Sequence, residues 1–155
     1  MSRPVTTDEN EAKGPSGLSA FLGTWEITRE IAHADGSVQR LAGRVRFHRS
    51  GGQVIQDEEG DLELAPGRPA LRATRRYLWR QEKGRLDCSF ADNRPFHSVP
   101  LGVLRPETTY LCPPDRYHVA YDFADWPRWT SVWRVEGPRK DYRMETRFRP
   151  LRAPS

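Results

Sequence analysis

Arg75 and Tyr77 carry the clearest chemistry in the chain, because one residue separates them in Arg75-Arg76-Tyr77. On an extended segment both side chains share a face, where a guanidinium and a phenol grip one carboxylate through charge-assisted bonds and a hydroxyl donor. Arg29 has a similar setting, since Trp25, Ile27 and Ile31 make the rest of its face apolar. A guanidinium on an apolar face costs several kcal/mol unless something answers it. The candidates are an acid such as Glu59 or Asp92, the anionic group of a ligand or, for Arg29, the face of Trp25.

A second constellation is Phe90-Ala91-Asp92-Asn93-Arg94-Pro95-Phe96-His97, where an acid, a cation and an imidazole meet at one hairpin. Read as chemistry, His97 is a general base or an iron ligand, Asp92 orients it and Arg94 holds an anion. Read as structure, Asp92-Asn93 makes the turn, Arg94 ties Asp92 across it and His97 is a satisfied hydrogen-bonding residue.

The remaining motifs exclude more than they suggest. His33, His48 and His118 fall on outward positions by alternation, and no His-x-His, Glu-x-x-His or cysteine spacing supports a metal. There is no Gly-x-Ser-x-Gly, P-loop or Rossmann fingerprint. No cofactor is expected, a haem on His97 being the one exception. Cys88 and Cys112 lack Cys-x-x-Cys spacing and are read as free thiols, though a bridge stays open if strands set them side by side. The net charge of +4 and pI of 9.4 invite a nucleic-acid partner. The distribution argues against one: all but three of the 25 basic residues are arginines, interleaved with 21 acids along every segment. That pattern fits a solvated, mixed-sign exterior.

The elements that must position these groups are strands. Extended runs are expected at 24–33, 40–48, 53–59, 61–65, 70–81, 85–91, 94–99, 107–112, 115–124, 128–136 and 139–149. Asp35-Gly36, Ser50-Gly51-Gly52, Lys83-Gly84, Asp92-Asn93 and Gly137-Pro138 separate them. Alternation turns Trp129, Ser131, Trp133 and Val135 inward, with Tyr117, Val119, Tyr121 and Phe123, Leu41, Gly43, Val45 and Phe47, and Tyr142, Met144, Thr146 and Phe148. Many short strands without a long amphipathic helix predict an all-β, closed antiparallel up-and-down barrel of about eight to ten strands, with a sandwich as the alternative. Residues 18–150 form its single domain, and residues 1–17, without apolar period, a disordered N-terminal tail. No run reaches the ~20 apolar residues of a membrane span, and the N-terminus lacks a secretory signal, which predicts a cytoplasmic protein of unspecified oligomeric state.

Gly23-Thr24-Trp25, after the short hydrophobic turn Leu18–Leu22, resembles the opening of a calycin barrel of the lipocalin kind. The resemblance implies a short N-terminal helical turn, a floor plugged by an indole and a cup for a small molecule. Fatty-acid-binding proteins use a similar Arg-x-Tyr pair, on their last strand rather than mid-chain. Arg75-x-Tyr77-x-Trp79, the Phe90–His97 segment, Asp115-x-Tyr117, Trp133 and Gly137-Pro-Arg-Lys-Asp-Tyr142 together resemble a family of small bacterial and fungal proteins of unknown function, over about residues 18 to 150. That family implies a calycin-like architecture and brings no activity.

Two functions are thereby expected. In the first the barrel binds a small hydrophobic anion, a fatty-acyl or aromatic carboxylate. Arg29, Arg75, Tyr77 and Arg94 would take the acid, and Trp25, Tyr117, Tyr121, Trp133 and Phe148 the apolar body. A haem or tetrapyrrole carrier with His97 as axial ligand is a variant. The second is a cofactor-free lyase, isomerase or hydrolase, in which His97 moves a proton and Arg94 or Arg75 steadies an oxyanion. A filled barrel acting as a protein-interaction module is a further alternative.

Overall fold

The computed structural model describes residues 14–151. The alternating segments form ten strands: β1 (Gly23–His33), β2 (Val38–Ser50), β3 (Gln53–Glu63), β4 (Leu71–Glu82), β5 (Arg85–Phe90), β6 (Pro95–Pro100), β7 (Glu107–Cys112), β8 (Asp115–Asp122), β9 (Trp129–Glu136) and β10 (Asp141–Pro150). A four-residue 3-10 turn, Leu18–Phe21, precedes them. All pairings are antiparallel, in the order β6-β5-β4-β3-β2-β1-β10-β9-β8-β7. Consecutive strands pair everywhere except at β6 and β7, and β1 also pairs β10. The barrel is therefore nearly closed, with its one seam mid-chain rather than at the chain ends.

Where eleven extended runs were expected, ten strands form, because 53–59 and 61–65 are one strand. Gly60 lies inside β3, opposite Gly43 of β2. A Cβ on Gly43 would stand 2.2 Å from the Glu59 carbonyl oxygen and 2.6 Å from the Gly60 Cα. The glycine pair permits close backbone approach, a use of glycine in strands distinct from a turn.

Alternation places the inward residues as expected, so that Trp129, Ser131, Trp133 and Val135 of β9 are all buried, as are Tyr117, Val119 and Tyr121 of β8. The floor is aromatic. Trp25 donates its indole N–H to the Phe21 carbonyl at 2.8 Å, and the Phe21 ring packs on Trp126 at 5.1 Å and Trp129 at 5.3 Å between centroids. Each such ring removes 150–250 Å² from water, about 1.5–3 kcal/mol of driving force per side chain. The 3-10 turn is pinned under the barrel by the Leu18 amide, which donates to Gln81 Oε1 at 2.8 Å. Residues 14–17, expected in the tail, pack here too: Pro15 and Gly17 are buried. The rest of the expected tail lies outside the described residues. Trp126 folds back onto Trp25 at 5.6 Å. Among the described residues no helix is long and apolar enough to cross a membrane.

At the seam, β6 and β7 exchange no ladder hydrogen bonds, and side chains close the gap. Phe96 of β6 meets Tyr110 of β7 edge-on at 5.5 Å. His97 Nε2 lies 2.7 Å from the Tyr121 hydroxyl of β8.

Candidate functional site

Half-way up the barrel a chain of polar side chains crosses the interior. Arg29 of β1 donates from Nε to Thr146 Oγ1 at 2.7 Å and from Nη2 to both Glu58 oxygens at 3.0 and 3.1 Å. Gln56 Nε2 donates to Glu58 at 2.9 Å, and Trp79 Nε1 donates to Gln56 Oε1 at 2.8 Å. Arg29, Glu58, Gln56 and Thr146 are all buried. This decides among the expected partners of Arg29 in favour of an acid other than the two named. Glu58 answers Arg29, rather than Glu59 or Asp92: Glu59 points outward and pairs with Arg72 at 3.1 Å. Trp25 plugs the floor instead of covering the guanidinium. With Nε and Nη2 engaged, Arg29 holds the barrel together and has little left to offer a ligand.

Arg75 is different. It stands directly opposite Glu58 in the β3–β4 register. Among the described residues, however, no carboxylate lies within ion-pair distance of it. Its Nη1 donates to the Tyr77 hydroxyl at 3.3 Å. Solvent reaches this side chain, although protein surrounds much of it. Burial works against its charge, but Tyr77 and Glu58 outweigh that and lift its pKa. Burial also pushes the Tyr77 hydroxyl up, against the pull of Arg75, so Tyr77 stays neutral. Because it accepts from Arg75, its own proton is free to be donated. One carboxylate therefore stands between the buried Arg29 and the solvent-reached Arg75, and Arg75 is the guanidinium left without a direct counter-ion. Toward the same end Lys140 Nζ donates to the Tyr117 hydroxyl at 2.9 Å and pairs with Asp115 at 3.2 Å. These contacts, the Tyr117 bond first, raise the lysine pKa. Trp133 sits between Tyr77 and Tyr117, with ring centroids 6.0 and 6.2 Å away.

His97 lies inside, although the preceding Phe96 also does, because a register shift at Cys88/Ser89 turns both into the barrel. Burial alone lowers its pKa to about 3, so the ring is neutral at physiological pH. The Tyr121 hydroxyl beside it is pushed well up by burial and also stays neutral. Arg75, Tyr77, Glu58, His97, Tyr121 and Trp133 all border one cavity of about 30 Å³. That volume admits one or two water-sized groups, whereas drug-sized ligands occupy roughly 300–1,000 Å³. A second, wholly apolar cavity of about 20 Å³ lies nearer the floor, against Phe21, Phe47 and Leu86.

Arg94 is not brought to this site. It faces solvent on the β5–β6 turn, where its backbone N–H donates to Asp92 Oδ1 at 3.0 Å and its Nε to Oδ2 at 2.7 Å. Asn93 takes the left-handed turn conformation at φ 73°. His33, His48 and His118 bond to Gln39, Asp57 and Glu107 at the periphery. Both cysteines are free, Cys88 buried and Cys112 half-buried. No cluster of three or more metal-ligating side chains occurs among the described residues. Glu58 and Gln56 are the site residues that sequence reasoning missed. The signal was parity: with Val54 buried, Gln56 and Glu58 must also point inward.

The fold has a solved counterpart. The S-type phycobiliprotein lyase CPES from Guillardia theta superposes with a TM-score of 0.58 over 97% of this chain and 93% of its own, at 8% identity. At that identity the likeness is one of fold, the nearly closed antiparallel barrel. No curated protein matches the chain. The model of a family of unknown function, DUF6314, matches residues 21–150, the span of the ten strands and their floor, and the chain belongs to that family.

Proposed function

We propose that the barrel binds a small apolar anion, a fatty-acyl or aromatic carboxylate, with the acid group on Arg75 and Tyr77. The observation that supports this reading is a charge imbalance along one cavity: Glu58 is already bonded to Arg29, and Arg75, at its solvent-reached side, has only a phenol. A partly enclosed guanidinium without a counter-ion attracts one, and a carboxylate matches its planar fork. Trp133, Tyr117 and Tyr121 supply the apolar wall. The cavity is small, so an acyl chain must push side chains aside. The β6–β7 seam favours this, because widening it breaks no backbone ladder. The barrel shared with a phycobiliprotein lyase keeps a tetrapyrrole with carboxylate side chains among the candidate anions. Proton transfer by His97 is the weaker reading, since a base with a pKa of about 3 accepts a proton poorly at neutral pH.

Calorimetric titration with decanoate tests the proposal. Saturable binding is expected, and Arg75→Ala should weaken it at least tenfold, as loss of a charge-assisted contact does. Arg94→Ala should leave affinity within twofold. Equal affinity in wild type and Arg75→Ala would refute the assignment.

A further inference from the structure

Two buried polar atoms in the interior have no hydrogen-bond partner among the described residues, His97 Nδ1 and Trp129 Nε1. Both side chains are more than nine-tenths buried, at 7% and 5% exposure. Both border the same cavity that Arg75 reaches. They flank the Tyr121 ring, with centroids 5.8 and 6.2 Å from it. A buried polar group left unpaired is destabilising, so two in one small cavity call for a common partner.

The chemistry of that partner follows from counting protons. The indole N–H of Trp129 can only donate. For His97, the 2.7 Å contact with Tyr121 allows two arrangements. If Nε2 donates to the phenol, both Nδ1 and the phenolic proton are left unmet. If the phenol donates to Nε2, only the Nδ1 proton is left. The second arrangement leaves fewer unmet groups, and it makes Nδ1–H a donor. The two unmet groups on the cavity are then both donors, and the cavity has room for an oxygen atom but not for a second ring.

We infer that His97 and Trp129 form a neutral oxygen-binding site for a ligand's ketone or amide carbonyl, so that the ligand class is an oxo-acid: carboxylate on Arg75, carbonyl oxygen deeper, between imidazole and indole. The inference rests on the Arg75 reading of the preceding section. It gives His97 a binding role that requires no change of protonation. Trp129 holds its place independently of the ligand, stacked on Phe148 at 3.7 Å and 1° between ring planes, so its N–H is fixed in direction before anything binds.

The test compares decanoate with oxodecanoates bearing the ketone at carbon 4, 6 or 8. At least one keto acid should bind five- to tenfold more tightly than decanoate, the size of one to two neutral hydrogen bonds. Trp129→Phe keeps the ring stack and removes the N–H; it should reduce that preference while decanoate affinity stays within twofold. His97→Phe should do the same, and near-ultraviolet circular dichroism shows whether each variant is folded. If no keto acid is preferred while Arg75→Ala still weakens decanoate, the cavity holds water only and the inference falls with the Arg75 reading intact. If Arg75→Ala changes nothing, the reading beneath it falls as well. Nitrogen-15 NMR of the imidazole gives a ligand-independent check: Nδ1 should carry the proton, and a proton on Nε2 would overturn the inference without any titration.

Discussion

Replacing Glu58 with glutamine should destabilise the barrel far more than replacing its partner Arg29 with methionine, and the asymmetry follows from Arg75. Glu58 holds Arg29 in a two-pronged contact at 3.0 and 3.1 Å, with both side chains buried. Breaking such a pair by removing one member costs about 3–5 kcal/mol, because a charge is left buried and unanswered. Glu58→Gln leaves the buried Arg29 guanidinium without a carboxylate, and Arg75, opposite position 58, adds a second like charge rather than an answer to it. Arg29→Met leaves Glu58 opposite Arg75, which can swing to it, and with the Gln56 amide still bonded. That loss should be about 1–2 kcal/mol, the worth of the hydrogen bonds that disappear. The double variant should be more stable than Glu58→Gln alone, since it removes the stranded charge of Arg29. Urea titrations followed by tryptophan fluorescence would measure all three midpoints. At about 2–4 °C per kcal/mol for a chain of this size, Glu58→Gln should lower the melting temperature by roughly 6–20 °C. Equal losses in the two single variants, or a loss below about 1 kcal/mol for Glu58→Gln, would refute the reasoning.

The fold should weaken in acid through His97. Below pH 6.5 the unfolded chain takes up a proton that the folded ring refuses until about pH 3. Stability from this group is thus complete above pH 6.5 and falls by about 1.4 kcal/mol per pH unit below it; denaturant titrations at pH 7 and pH 5 would show the slope, and His97→Phe should flatten it. Gly43→Ala should destabilise the β2–β3 pair by about 3 kcal/mol or more, because its Cβ would stand 2.2 Å from a backbone oxygen that cannot swing away. Gly60→Ala, whose nearest contact is 2.8 Å, should be the milder of the two in the same thermal melts.

Much of the barrel was legible because strand alternation and turn chemistry are local. Trp129, Ser131, Trp133 and Val135 declare their face through their own spacing, and β7 begins and ends where the extended run Glu107–Cys112 does. The misplaced break near Gly60 came from treating a glycine as punctuation when it serves close approach between neighbouring strands. The site was half legible. Arg29 and Arg75 stood out as charges on apolar faces, and His97 as an imidazole among aromatics. Arg94, by contrast, drew attention by proximity to His97 in sequence, while a single turn sends it outside to Asp92.

Residue order alone fixes the parity of the regular strands, β6 excepted, and the need of each inward guanidinium for a partner. Which partner each one finds depends on the folded sheet. Glu58 meets Arg29 across three strands and 29 residues, and His97 meets Tyr121 across a seam where no ladder runs. These meetings depend on register, on the shift at Cys88/Ser89 and on how the sheet curves to bring β6 beside β7, all of them sums over the whole sheet. Spacing along the chain is fixed by covalent geometry, whereas the charge left over on Arg75 emerges only once Arg29 and Glu58 have found each other.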